Sequence, residues 1–192
     1  MHLLRKVSLM AFVCMTIYSL NSQVVAQSFG SSSLFAKLKV GQWVKIDGSP
    51  QKDGTVLTEE VKILTGDIQD DDWEVFGRIT RIDYKKKQLM IHGLTIRTSK
   101  ETEYEIGDEK QPSFQMLKRN MPVEVEGTFL KDGTFLADEI QDETYNPKKQ
   151  KKSHLLSLVG KVQKMDPNKK IVEVMGIRFL ISSKTKVKTK MK

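Results

Sequence analysis

The sequence predicts an all-β protein made of small closed barrels with little helix, on three observations. Two kinds of segment alternate and each occurs twice, so the chain is an internal repeat in the order A, B, A, B. Within the segments, apolar and charged residues alternate at a period of two, the mark of a half-buried strand. Asp-Gly pairs and single glycines recur between those runs, where the chain must reverse.

The first A segment runs from Phe35 to Leu38, through Val44, Ile46 and Gly48, to Lys52-Asp53-Gly54-Thr55-Val56-Leu57 and Glu60-Val61. The second runs from Phe114 to Leu117, through Val123, Val125 and Gly127, to Lys131-Asp132-Gly133-Thr134-Phe135-Leu136 and Glu139-Ile140, offset by 79 positions without a gap. Val44 and Ile46 alternate with charges and predict a strand, and Asp53-Gly54 and Asp132-Gly133 predict tight turns. Beyond the turn, Leu57 and Val61 share their parity with Glu59. A glutamate there would be buried, so a β-bulge is expected near Glu59-Glu60 and near Asp138-Glu139. Ser33–Leu38 and Ser113–Leu117 read as single helical turns opened by a serine.

The first B segment carries Val75-Phe76-Gly77, Ile79, Ile82-Asp83, then Leu89-Met90-Ile91-His92-Gly93-Leu94, Ile96 and Thr102. The second carries Leu158-Val159-Gly160, Val162, Met165-Asp166, then Val172, Val174-Met175-Gly176-Ile177, Phe179 and Thr185, at an offset of 83. The turn at Lys85–Lys87 corresponds to Pro167-Asn168-Lys169-Lys170, a Pro-led β-turn. Leu89 and Ile91 predict an inward face, and Gly93 and Gly176 a sharp reversal. The final lysines, from Lys184 to Lys192 at every second position, predict an edge strand as far as about Lys188, guarded by its charges, with fraying beyond.

Short strands with bulges and glycine kinks suit an OB-like barrel, and a B plus an A segment supplies the five strands that such a barrel needs. One pairing makes residues 74–142 a central barrel, with the terminal half-repeats 35–66 and 155–189 completing a second. The alternative runs the barrels in order, 35–105 and 114–189. The acidic stretch 66–72 and the basic stretch 146–153 are expected as exposed linkers.

Residues 1–26 read as a secretory signal. Arg5 and Lys6 precede an apolar run from Val7 to Leu20, and Val24-Val25-Ala26 makes a small-residue cut site. The run is short for a membrane span of about 20 residues. The expected compartment is therefore periplasmic or extracellular. Cys14, the single cysteine, lies inside that segment and leaves no disulfide or thiolate chemistry in the remainder. The signal holds two of the 32 basic residues and none of the 24 acidic ones, so the remainder carries 30 against 24, a net +6. That favours anionic partners, an acidic polysaccharide or lipid phosphate, beside an exported protein as partner. Nucleic acid is disfavoured, because an exported protein rarely meets it.

The order Gly-x-[Ile/Val]-x-x-[Ile/Met]-Asp, an apolar pair ending in Gly, Thr, Phe-x-x-Leu, Val-x-Val-x-Gly, Asp-Gly-Thr and Glu-[Ile/Val] resembles a bacterial family. It is a family of exported, OB-like domains without an assigned function (domain of unknown function 5666 type). The resemblance covers residues 74–142 and, through the flanking halves, most of the rest. It implies a fold and almost nothing about chemistry. The stretch from Gly77 to His92 is also similar to periplasmic copper-carrying OB proteins. There a histidine late in this strand joins two methionines and a stacked tryptophan. His92 occupies that position, but Gly93-Leu94-Thr95-Ile96 stands where the Trp-x-x-Met-x-Met stretch belongs.

Catalysis has no foothold in these residues. His92 and His154 lie in no Ser/His/Asp or His-x-x-x-His arrangement, and there is no phosphate-binding glycine loop. A non-enzymatic binding or accessory protein without a cofactor is expected. Two candidate sites follow. Met90 and His92, at i and i+2 of one strand, offer a soft thioether and an imidazole suited to copper. Trp43, Trp73, Phe76 and Tyr84 lie near Arg78, Arg81, Lys85, Lys86 and Lys87, and aromatics interleaved with cations on a barrel surface bind polyanions.

Overall fold

The computed structural model describes residues 31–68 and 73–191. The signal-peptide reading and part of the 66–72 linker fall outside the described residues. No helix among the described residues is long and apolar enough to cross a membrane. The chain is mostly β. A short helix, α1 (Ser31–Lys37), leads into β1 (Trp43–Pro50), β2 (Val56–Thr65), β3 (Trp73–Asp83), β4 (Gln88–Ile91), β5 (Leu94–Arg97) and β6 (Glu103–Glu105). A 3-10 turn at Phe114–Met116 precedes β7 (Pro122–Phe129) and β8 (Phe135–Asp142). Helix α2 (Pro147–Gln150) is followed by β9 (Leu156–Asp166), β10 (Ile171–Val174), β11 (Ile177–Leu180) and β12 (Lys186–Met191).

The strand starts obey the sequence repeat. An offset of 79 carries β1 and β2 onto β7 and β8, and 83 carries β3, β4, β5 and β6 onto β9, β10, β11 and β12. Two circuits of hydrogen-bonded strands result. In one, β3 pairs with β4, β4 with β5, β5 with β8, β8 with β7, and β7 returns to β3. In the other, β9, β10, β11, β2 and β1 close in the same way. Each circuit closes through a parallel pairing only two residues long, Ile96↔Phe135 with Arg97↔Leu136, and Phe179↔Val56 with Leu180↔Leu57.

The circuits are not separate barrels. β3 and β9 pair antiparallel through Glu74↔Val159, Val75↔Leu158 and Phe76↔Ser157, so all 12 strands belong to one mixed sheet. The residues of both circuits share one hydrophobic cluster, from Val44 and Ile46 through Val123, Val125, Phe135 and Phe179. Short strands with one apolar face cannot bury it alone, and joining the sheet gives both circuits a common interior.

Local chemistry fixes the turns and bulges. Thr55 donates its N–H and its Oγ1 hydroxyl to Asp53 Oδ1 at 2.9 and 2.7 Å, and Thr134 repeats this on Asp132 at 3.0 and 2.7 Å. These bonds explain the Asp-Gly-Thr triplet and hold both aspartate pKa values below the usual carboxylate range. Asp47↔Glu60 is followed by Gly48↔Thr58, so Glu59 bulges out. In the second copy Asp138 does so between Glu126↔Glu139 and Gly127↔Ala137. The expected linker 146–153 contains helix α2 instead. The Asn146 side chain accepts the N–H groups of Lys148 and Lys149 at 3.1 and 3.4 Å, and Pro147 pre-sets the first turn. Ser113 opens its 3-10 turn without a side-chain capping bond.

Candidate functional site

Eight of the strands lie side by side in the order β12, β2, β1, β9, β3, β7, β8, β6. Because side chains alternate across a sheet, directly opposed residues share a face. One register row therefore reads Lys188, Lys62, Lys45, Val159, Glu74, Glu126, Glu139, Glu103. The adjacent row reads Lys186, Glu60, Asp47, Ser157, Phe76, Glu124, Gln141, Glu105. The outer face is polarised: lysines gather on the β12–β1 side and glutamates on the β3–β6 side. The repeat makes the inversion explicit. Lys45 corresponds to Glu124, Lys186 to Glu103 and Lys188 to Glu105.

At the seam between the two halves, helix α2 and the residues after it cross the outer face. A cleft of about 400 Å³ opens there, lined by Lys45, Lys62, Lys148, Lys149 and Lys152 together with Asp47 and Glu74, over an apolar floor of Leu64, Phe76, Leu155 and Val159. Most of these cations have carboxylate neighbours. Lys45 Nζ lies 2.7 Å from Glu74 Oε1, Lys152 Nζ lies 3.6 Å from Asp47 Oδ2, and Lys149 Nζ pairs with Glu124. Asp47 is 4% exposed and accepts the Ser157 hydroxyl at 2.5 Å. Lys149 also stands over the Phe76 ring, 5.2 Å from its centroid.

Burial, aided by neighbouring carboxylates, moves two carboxyls. Burial raises the Glu74 pKa, helped by a hydrogen bond that protonated Glu74 donates to Glu124, and Lys45 only partly offsets them. Glu139 is raised by desolvation and by Glu126, Glu105, Glu103 and Glu124. Burial alone would lower the Lys45 pKa. The attraction of Glu74, Asp47 and Glu124 outweighs it, and the net direction is upward. A carboxyl whose pKa is raised in the fold keeps a proton that the unfolded chain releases. Its stabilising contribution is present below about 4.5 and is lost as pH rises through the raised value. Glu139→Gln is therefore expected to be more stable than the wild type at about pH 7 and indistinguishable from it at about pH 4. Urea unfolding of the two proteins across that range checks it, and parallel curves would refute it.

The residues singled out from sequence are dispersed. Trp43, Trp73 and Phe76 are 9%, 8% and 2% exposed. The two tryptophan rings pack with centroids 4.8 Å apart, and Trp73 packs on Phe129 at 5.7 Å. The two tryptophans pack where the circuits join and present no stacking surface, whereas Phe76 lies on the cleft floor beneath Lys149. Arg78 is tied to backbone, donating to Asn120 O at 2.6 Å and Ser153 O at 2.9 Å. Tyr84 is exposed, but its hydroxyl donates to Leu117 O at 2.8 Å. Lys85, Lys86 and Lys87 lie on an exposed turn away from the lysine cleft, and Arg81 lines a smaller cleft of about 210 Å³ with Met90.

His92 does not share that cleft. Strand β4 ends at Ile91, and His92-Gly93, with φ of 44° and 86°, forms a two-residue hairpin turn, as Met175-Gly176 does with 51° and 72°. The turn ends the strand alternation on which the Met90–His92 pair was based. His92 lines a different cleft, where the tips of both circuits meet, and its Nε2 has no hydrogen-bond partner. Its pKa is lowered by burial, against hydrogen bonds to the backbone of Gly54 and Thr55. No group of three or more His, Cys, Asp or Glu residues among those described could hold a metal ion.

The glutamate rows and the lysine cleft were missed in the sequence because they depend on which strands are neighbours. The only local trace is the outward parity of Lys45, Glu74, Glu124 and Glu139 in their strands. Neither a comparison with curated proteins nor one with solved structures finds a match. The sequence profile of the domain of unknown function DUF5666 matches residues 16–62 and 76–141, more than half of the chain and the greater part of both A segments and of the first B segment, and the protein belongs to that family.

Proposed function

We propose that this is an exported, non-enzymatic binding protein whose lysine-rich half-face holds an anionic envelope polymer, an acidic polysaccharide or the phosphates of lipid headgroups. The observation that carries the reading is the convergence of five lysines from β1, β2 and the segment around α2, against two carboxylates, Asp47 and Glu74, on one cleft with an apolar floor. Ammonium groups on flexible stems suit anions of irregular spacing, and an apolar floor suits the ring faces of a sugar or an acyl stub. Lys186 and Lys188 extend the same basic half to the sheet edge. The basic start, apolar run and Val24-Val25-Ala26 of the leader support export.

A sulfated polysaccharide and phosphatidylglycerol vesicles serve as separate probes in titration calorimetry. Lys62→Gln, Lys148→Gln and Lys188→Gln together are expected to weaken binding at least tenfold at low salt. Lys85→Gln, Lys86→Gln and Lys87→Gln together, on the distant turn, should leave it unchanged. Wild-type binding should fade as salt shortens the screening length to about 8 Å or less. Binding that ignores salt, or that follows the distant turn, would overturn the proposal.

A further inference from the structure

The two ends of the eight-strand face are unlike in a way that defines a partner. β6 pairs with β8 on one side, β12 pairs with β2 on one side, and no described strand pairs with the other side of either. A strand edge carries a row of N–H and C=O groups that template further pairing. The β6 edge presents Glu103 and Glu105 around the half-buried Tyr104, and the β12 edge presents Lys186 and Lys188 around the half-buried Val187. At equivalent positions of one repeat the charges are opposite, so each edge repels a copy of itself and attracts the other.

We infer that a second copy of this chain docks head to tail, its β12 adding to the β6 edge of the first. The geometry agrees in three respects. Following the pairings across the face, β12 runs one way and β6 the other, so two copies in the same orientation bring these edges together antiparallel. Opposing Tyr104 to Val187 then puts Glu103 against Lys188 and Glu105 against Lys186, which continues both register rows into the next molecule. It also keeps the two half-buried side chains on the core side of the extended sheet. Such a contact joins different surfaces, so it propagates as a filament or closes as a ring instead of stopping at a two-fold dimer.

Sedimentation velocity of the full chain tests the contact. Wild-type mass should rise with concentration at low salt and return to the monomer at high salt. Glu103→Lys with Glu105→Lys makes both edges basic, and Lys186→Glu with Lys188→Glu makes both acidic. Each variant alone should lose association, and an equimolar mixture should regain it. Carbodiimide cross-linking of the wild type, in a mixture of isotope-labelled and unlabelled chains, should join Glu105 of one copy to Lys186 of another, which needs no variant to fold. A wild type that stays monomeric, a mixture of folded variants that does not associate, or cross-links confined to single chains would each overturn the inference.

Discussion

Replacing Gly127 with alanine is expected to lower stability by about 3 kcal/mol, near the upper end for overpacking by one methyl group. A Cβ at that position would lie 2.1 Å from the Leu136 carbonyl oxygen and 3.0 Å from Ala137 Cα. Both are backbone atoms of the paired strand β8, so relief requires the ladder itself to open beside the Asp138 bulge. The repeat predicts the same behaviour one copy earlier, where a Cβ on Gly48 would meet Leu57 O at 2.5 Å. Gly133→Ala is the control. Nothing lies within 4 Å of its Cβ, and only the positive φ of 82° is strained, a cost of about 1–2 kcal/mol. Urea midpoints for the three variants decide the matter, and equal losses at Gly127 and Gly133 would show that the strands yield.

Phe76→Ala is expected to cost about 3–5 kcal/mol, as for other buried phenylalanines, although the ring lies outside the main core. Phe76 occupies the outer face of β3, beneath Lys149 and on the cleft floor with Leu155. Truncating it removes the apolar seat of the segment that crosses the seam. Trypsin should then cut at Lys148–Lys152 far sooner than in the wild type, because local opening exposes that backbone. Phe76→Leu should recover most of both properties, at a cost below about 1.5 kcal/mol. Unchanged cleavage in Phe76→Ala would show that the segment is held by its ion pairs alone.

Much of the fold was legible because it is written locally. The alternation of Val44 and Ile46, the Asp-Gly-Thr turns and the shared parity of Glu59 and Val61 each depend on residues close in sequence, and each fixed an element or a bulge, although Leu57, expected inward, is exposed and Val56 and Thr58 are buried in its place. The fusion of two circuits into one sheet was not legible. It rests on Glu74, Val75 and Phe76 meeting Ser157, Leu158 and Val159, a contact between residues far apart in the chain whose apolar pattern serves an isolated barrel equally well. The candidate site shared that fate. Lys45 and Glu124 read as ordinary outward residues until their strands acquire neighbours. Trp43 and Trp73 suggested a stacking surface by type, but the seam buries them. Met90 and His92 were paired by strand parity, which the turn at His92-Gly93 interrupts.

The nesting of the circuits has a consequence for the order of folding as the chain emerges from its amino end. The strands of the central circuit are contiguous, from Trp73 to Asp142, whereas the other circuit needs β1 and β2 from one end and β9 to β11 from the other. Contacts between distant parts of a chain form slowly, because loop closure must precede them. The first hairpin made therefore waits as an orphan, with one flank of β1 unpaired, until residues beyond Leu156 have emerged, and β3 of the central circuit waits for the same strand. Any factor that shields nascent chains would meet that hairpin first. A delay in the arrival of β9 would lengthen its exposure and would also leave β3 of the central circuit without a partner on that flank.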